Sequence, residues 1–196
     1  MRPLRVSAPS LLHSLPMIPL VLAAVLSLPQ QVPQGPALSP AVRDSAVTES
    51  RQAIMDVGKG VADFRTAHDA LRRAVFNSSD AVIVQQMQAM RRSCQDLTAV
   101  ARAAPPRLCR HCFGGGAQAA VNAYRAVLPT VAQLGMRCST RMDRDLRAKE
   151  PAATLRRGIW AFTRDEVDGL APYEARLLGV RRAFNLVSAQ ERQAPR

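Results

Sequence analysis

The strongest constraint in this chain is a spacing. From residue 47 onward apolar side chains recur at alternating intervals of three and four, the stripe of a helix that buries one face in a bundle. The first run is Val47, Ser50, Ile54, Val57, Val61, Phe64, His68, Leu71 and Val75. The second carries Ile83, Met87, Met90, Cys94, Leu97, Ala101 and Ala104. A third comes after the triple glycine at 114–116 with Ala117, Val121, Tyr124, Leu128, Val131, Gly135, Cys138 and Met142. The fourth starts at Pro151 and carries Leu155, Ile159, Phe162, Glu166, Leu170, Tyr173, Leu177, Val180, Phe184 and Val187. No useful length of sequence alternates with the period of a strand, and aromatic residues at 4% leave a β-sandwich without its usual packing material. The pattern predicts an all-α fold, an antiparallel up-down four-helix bundle.

The punctuation refines this expectation. Asn77, Ser78, Ser79 and Asp80 offer side-chain oxygens for a tight turn and a helix N-cap. Pro105 and Pro106 are expected to end the second helix, because a proline ring cannot continue the hydrogen-bond ladder. Pro129 lies inside the third run, so that helix is expected to be kinked or broken, either one bent rod or two shorter pieces. Pro172 is expected to bend the fourth.

Ahead of the helices, residues 15–28 form an uncharged apolar stretch bounded by proline. It is too short and too proline-interrupted for a transmembrane helix, which needs about 20 residues, and has the length of a signal-peptide core. Residues 1–41 are therefore read as a signal peptide and Pro/Gln-rich leader, and residues 42–192 as the helical bundle domain. A mitochondrial transit peptide would need a basic amphipathic helix, which 15–28 is not. The expected location is exported, periplasmic or extracellular.

An exported chain meets an oxidising compartment, so Cys94, Cys109, Cys112 and Cys138 are expected to form disulfides. Four cysteines allow three pairings. In a straight, tightly turned hairpin of the second and third helices, Cys94 falls level with residue 125 and Cys138 with residue 81. The two would then lie roughly 20 Å apart along the axis and could not bond. A third helix that reversed at Pro129 would let all four sulfurs cluster. Cys109-Arg110-His111-Cys112 locally resembles a thioredoxin-type C-x-x-C site, with Arg107, Arg110, His111 and a helix start to stabilise a thiolate. The βαβ context of that family is missing. Zinc at the cysteines is a further alternative, whereas Phe113 stands where covalent haem attachment requires histidine.

His68 is the polar residue in mid-stripe of the first helix, and a turn near residue 78 sets it level with Met90. A His facing a Met in an exported bundle looks like the axial pair of b-type bundle cytochromes. That resemblance makes His68, Met87 and Met90 candidate haem or metal ligands, set against a core histidine bonded to a carbonyl or carboxylate, with Glu166 as candidate partner and methionines filling gaps. No cofactor is expected.

Charge supplies the remaining signal. The chain carries 27 Lys and Arg against 15 Asp and Glu, a formal +12. Between residues 81 and 142 stand Arg91, Arg92, Arg102, Arg107, Arg110, Arg125, Arg137 and Arg141, with Asp96 as the sole acid. Arg91, Arg92, Arg102, Arg107 and Arg110 are the candidate anion-binding residues. Aromatic residues are sparse in this stretch, which disfavours stacking on single-stranded nucleic acid. With no nucleophile–base–acid set and no phosphate-binding motif, an enzyme is not expected. The expected function is an exported, non-enzymatic helical bundle whose basic face on helices 2 and 3 binds an anionic surface or acidic macromolecule. A haem or metal carrier and a secreted cytokine-like bundle are the alternatives.

Overall fold

A computed structural model describes residues 39–193, with side chains described as far as residue 185. The expected leader, residues 1–41, lies almost wholly outside the described residues, as does the side chain of Val187. Four helical arms succeed one another: α1 (Pro40–Asn77), α2 (Asp80–Arg107), α3 (Gly115–Leu146), and a fourth arm made of α4 (Pro151–Phe162) and α5 (Ala171–Gln193). Between α4 and α5 the arm passes through a π turn, Thr163–Val167, and a 3-10 turn, Asp168–Leu170. The described residues contain no strand, and none of their helices is long and apolar enough to cross a membrane.

The stripes become the core. All seven residues of the second run and all eight of the third are buried, and in the first run only Val47 is partly exposed. In the fourth run Leu177 and Phe184 are half-buried while the remaining described members are buried. Removal of these apolar faces from water is what holds the arms together. Packing is most extensive between α2 and α3 and between α1 and α2, and next between α3 and α5.

Local signals act mostly as the residue chemistry dictates. Pro40 and Pro151 sit in the first turns of α1 and α4, where a missing N–H costs nothing. Ser79 is the N-cap of α2, but it serves through its backbone carbonyl, which accepts from Ile83 at 3.0 Å, and its hydroxyl makes no cap bond. Helix α2 runs through Pro105 and Pro106 to Arg107 instead of stopping before them, with Leu108 N–H closing on the Pro105 carbonyl at 3.3 Å. Neither proline has an N–H to donate to the preceding turn, and the helix stops one residue after them. Pro129 is carried inside α3 as part of one continuous rod. In the fourth arm the departure from α-helix falls at 163–170, ahead of Pro172, which occupies the first turn of α5.

The main correction concerns register. Cys94 and Cys138 are joined by a disulfide with their Cα atoms 5.8 Å apart, although α3 never reverses. Cys94 is level with Cys138, Arg91 pairs with Asp143, and Leu108 is bonded to Arg125. The tight hairpin fails because residues 108–114 do not turn back at once. They run alongside the opening turns of α3, where the Gln118 amide donates to the Cys109 carbonyl at 3.2 Å and accepts from Phe113 N–H at 3.1 Å. The start of α3 therefore projects past the end of α2, and every later residue of α3 meets α2 closer to the loop than its number would give in a tight turn. Gly135 marks the closest approach: a Cβ there would lie 2.7 Å from the Cys94 carbonyl oxygen.

Candidate functional site

The five expected anion-binding arginines do not form one uniform set. Arg91 is half-buried and pairs with Asp143 of α3 at 3.0 Å. Arg107 reaches to α1, with Asp56 at 2.7 Å and Glu49 at 3.7 Å. That guanidinium holds the Asp56 carboxyl below the usual carboxylate range, with help from Gln52. These two arginines are structural ties between helices, so their charge is largely neutralised inside the molecule. Arg92, Arg102 and Arg110 remain exposed, and among the described residues none has a carboxylate at ion-pair distance. Arg102 rests a terminal nitrogen 3.4 Å from the Met136 sulfur across the α2–α3 seam.

Sequence reasoning left Arg125 out of the candidate set, and the structure brings it in. Its side chain donates to the Leu108 carbonyl, while its Nε is buried without a hydrogen-bond partner. Burial and the nearby Arg110 charge both weaken its hold on the proton, yet a guanidinium stays charged. Arg125 is thereby tied to Leu108, two residues before Arg110, at the loop end of the α2–α3 pair, and among the described residues neither arginine has a carboxylate at ion-pair distance. The level arithmetic of the true register would have revealed this neighbourhood, since it sets residue 125 beside the end of α2.

The same loop carries the second disulfide, Cys109–Cys112, with Cα atoms 5.7 Å apart. Its backbone is held from several sides. Buried Ser50 accepts from Cys109 N–H at 2.8 Å, and Arg43 Nε donates to the Cys112 carbonyl at 3.0 Å. Ser50, one of the two polar members of α1's stripe, is in the core because this loop needs an acceptor there.

His68, the other polar member, is almost fully buried and stacks on the Phe162 ring at 5.5 Å. Its Nε2 lies 3.4 Å from the Thr163 hydroxyl and its Nδ1 lies 3.4 Å from Asp69. The expected partner Glu166 makes no hydrogen bond to it among the described residues: the π turn presents Thr163 to the imidazole instead. Burial lowers the His68 pKa, against a smaller pull from Asp69, so the ring is neutral at pH 7. Met87 and Met90 are fully buried core residues. Among the described residues no three His, Cys, Asp or Glu side chains are placed to hold a metal ion together.

Glu166 is the second residue that sequence reasoning undervalued. It is 5% exposed, and its Oε2 has no hydrogen-bond partner. Burial raises its pKa, against the opposing field of Arg137 and Arg141. A signal for this site exists in the fourth stripe, where Phe162, Glu166 and Leu170 are separated by two successive steps of four. An ideal α-helix overshoots a full turn by roughly 40° at each such step, and a widened π turn keeps all three on one face.

Elsewhere in the core the Tyr124 and Tyr173 hydroxyls meet at 3.1 Å, tying α3 to α5, and burial raises the pKa of both. Comparison with protein families, with curated proteins and with solved structures found no match to this chain.

Proposed function

We propose that this protein is an exported, non-enzymatic helical bundle that binds a polyanion through Arg92, Arg102, Arg110 and Arg125. The observation that carries the reading is the exposure of Arg92, Arg102 and Arg110 without a carboxylate at ion-pair distance among the described residues, with Arg125 tied to the Leu108 carbonyl two residues before Arg110. Like charges held together raise the energy of the free protein and lower the cost of placing a sulfate or phosphate group between them. Arg91 and Arg107 leave the candidate set because Asp143, Asp56 and Glu49 already neutralise them. Export is supported by the apolar stretch at 15–28 and by two cysteine pairs at disulfide distance. The carrier alternative is weakened by the occupation of its ligands: both His68 nitrogens face side-chain oxygens, and all four sulfurs are bonded to one another in pairs.

The test is retention on immobilised heparin as a function of salt. Retention at about 50 mM salt is expected, with an affinity that falls steeply as salt rises. Combined Arg92→Ser, Arg110→Ser and Arg125→Ser substitutions should flatten the salt dependence by about two to three released ions. Absence of retention at low salt removes the reading.

A further inference from the structure

We propose that the Cys109–Cys112 disulfide is a redox-active site that oxidises dithiols by thiol–disulfide exchange. Four independent features of the loop carry this inference. First, the bond spans a sequence separation of 3, against 44 for Cys94–Cys138, so it removes far less chain entropy from the unfolded state. Second, the loop does not depend on it: Ser50, Gln118 and Arg43 hold the backbone of both cysteines, and Arg125 holds Leu108. The cysteines stay in place when the bond opens.

Third, the two cysteines are unequally exposed. Cys112 is 2% exposed, whereas Cys109 is only half-buried. Attack by an incoming thiolate is therefore assigned to Cys109. Cys94 and Cys138 are both fully buried on helices and offer no such approach. Fourth, the surrounding charge favours thiolates. Arg110 and His111 lie between the cysteines in sequence, Arg43 is bonded to the Cys112 carbonyl, and Arg125 to the Leu108 carbonyl. On α1, Glu49 and Asp56 are both turned onto Arg107. Cys112 also precedes the N-terminus of α3, whose dipole stabilises negative charge.

In the reaction the first thiolate of the substrate attacks the Cys109 sulfur. A mixed disulfide forms, the Cys109–Cys112 bond breaks, and Cys112 leaves as a thiolate. The second substrate thiol loses its proton and attacks the substrate sulfur of the mixed disulfide, expelling Cys109 as a thiolate. The two cysteine thiolates take up the two protons that the substrate thiols released, so two electrons and two protons pass from the substrate dithiol to the protein, which ends as a dithiol. The protein's own disulfide is the oxidant for one turnover. This activity does not rest on polyanion binding, and either can fail without the other; where it holds, it replaces the non-enzymatic part of the reading above and leaves the polyanion part in place.

The test is an equilibrium titration of the full chain in graded mixtures of reduced and oxidised dithiothreitol, then acid quench, alkylation and peptide mapping. The Cys109–Cys112 pair should become reduced at a ratio at least about tenfold more oxidising than Cys94–Cys138 requires, with the helical circular dichroism unchanged. Mixed with a reduced dithiol peptide, the oxidised protein should generate one equivalent of peptide disulfide. The doubly substituted Cys109→Ser, Cys112→Ser protein should generate none while retaining its helical signal. Cys112→Ser alone should trap a mixed disulfide with a small aromatic disulfide reagent, and Cys109→Ser should not. If both disulfides reduce together, or Cys109–Cys112 opens only as the helices melt, or no peptide disulfide appears, the bond is a structural staple and the proposal is overturned. Should the substituted chains not fold, the titration of the unaltered protein decides the matter alone.

Discussion

Buried ionisable residues in this bundle pull on stability in opposite directions. His68 is held neutral chiefly by burial, so the unfolded chain binds its proton more tightly than the folded one. Its stabilising share is full above the ordinary histidine value of about 6.5 and is lost as pH falls through the lower folded value. Glu166 behaves in reverse. Burial raises its pKa, the folded chain binds the proton more tightly, and its share is full below the ordinary value of about 4.3 and lost as pH rises through the folded value. Replacing Glu166 with Gln keeps the shape and removes the charge that burial penalises. The substituted protein should be more stable than the parent at pH 7, because the buried charge is gone. That gain should shrink to nothing near pH 4, which urea denaturation at both pH values measures. A loss at pH 7 would mean that Arg137 and Arg141 outweigh the burial.

At the scale of helices, the seam between α2 and α3 is the most demanding contact. A Cβ on Gly135 would meet the Thr98 hydroxyl at 2.5 Å, the Cys94 carbonyl at 2.7 Å and the Thr98 backbone nitrogen at 3.0 Å. Two of these belong to the backbone of α2, which cannot step aside without moving the helix. Gly135→Ala should therefore destabilise the bundle by about 2 kcal/mol, as overpacking does, despite alanine's better helix propensity. Gly60 is the control. Its tightest neighbour is a Val100 methyl at 2.9 Å, the far end of a side chain, so Gly60→Ala should cost much less or nothing. Thermal melts of the two variants check the contrast. The faces of these helices were legible because burial tracks a period that any sequence displays, down to the fifteen positions of the second and third runs. Register was not legible, because it depends on the path of residues 108–114, and that path is set by Ser50, Gln118, Arg43 and Arg125 from other elements. The anion-binding candidates suffered from the same gap. Arg91 and Arg107 looked free in sequence, where the acids that neutralise them lie 52 and 51 positions away.

For the molecule as a whole, the excess of arginine sets a balance between two effects of salt. Ion pairs such as Arg65 with Glu174 and Arg156 with Asp80 are surface contacts, each contributing about 0–1 kcal/mol and weakened by screening. Against them stands the self-repulsion of a chain of formal charge +12, concentrated where Arg92, Arg102, Arg110 and Arg125 have no carboxylate beside them. Raising salt from about 10 mM to about 150 mM shortens the screening length from about 30 Å to about 8 Å. Contacts shorter than either length lose little, while repulsion between charges further apart is largely removed. The free protein should therefore melt at a higher temperature in the higher salt, and Arg110→Ser with Arg125→Ser should reduce that rise. Binding to heparin should weaken over the same interval, because there the salt competes with the ligand. The same arginines thus predict opposite salt responses in two measurements. A melting temperature that fell with salt would show that the ion pairs dominate and that the uncompensated face carries less strain than its charge implies.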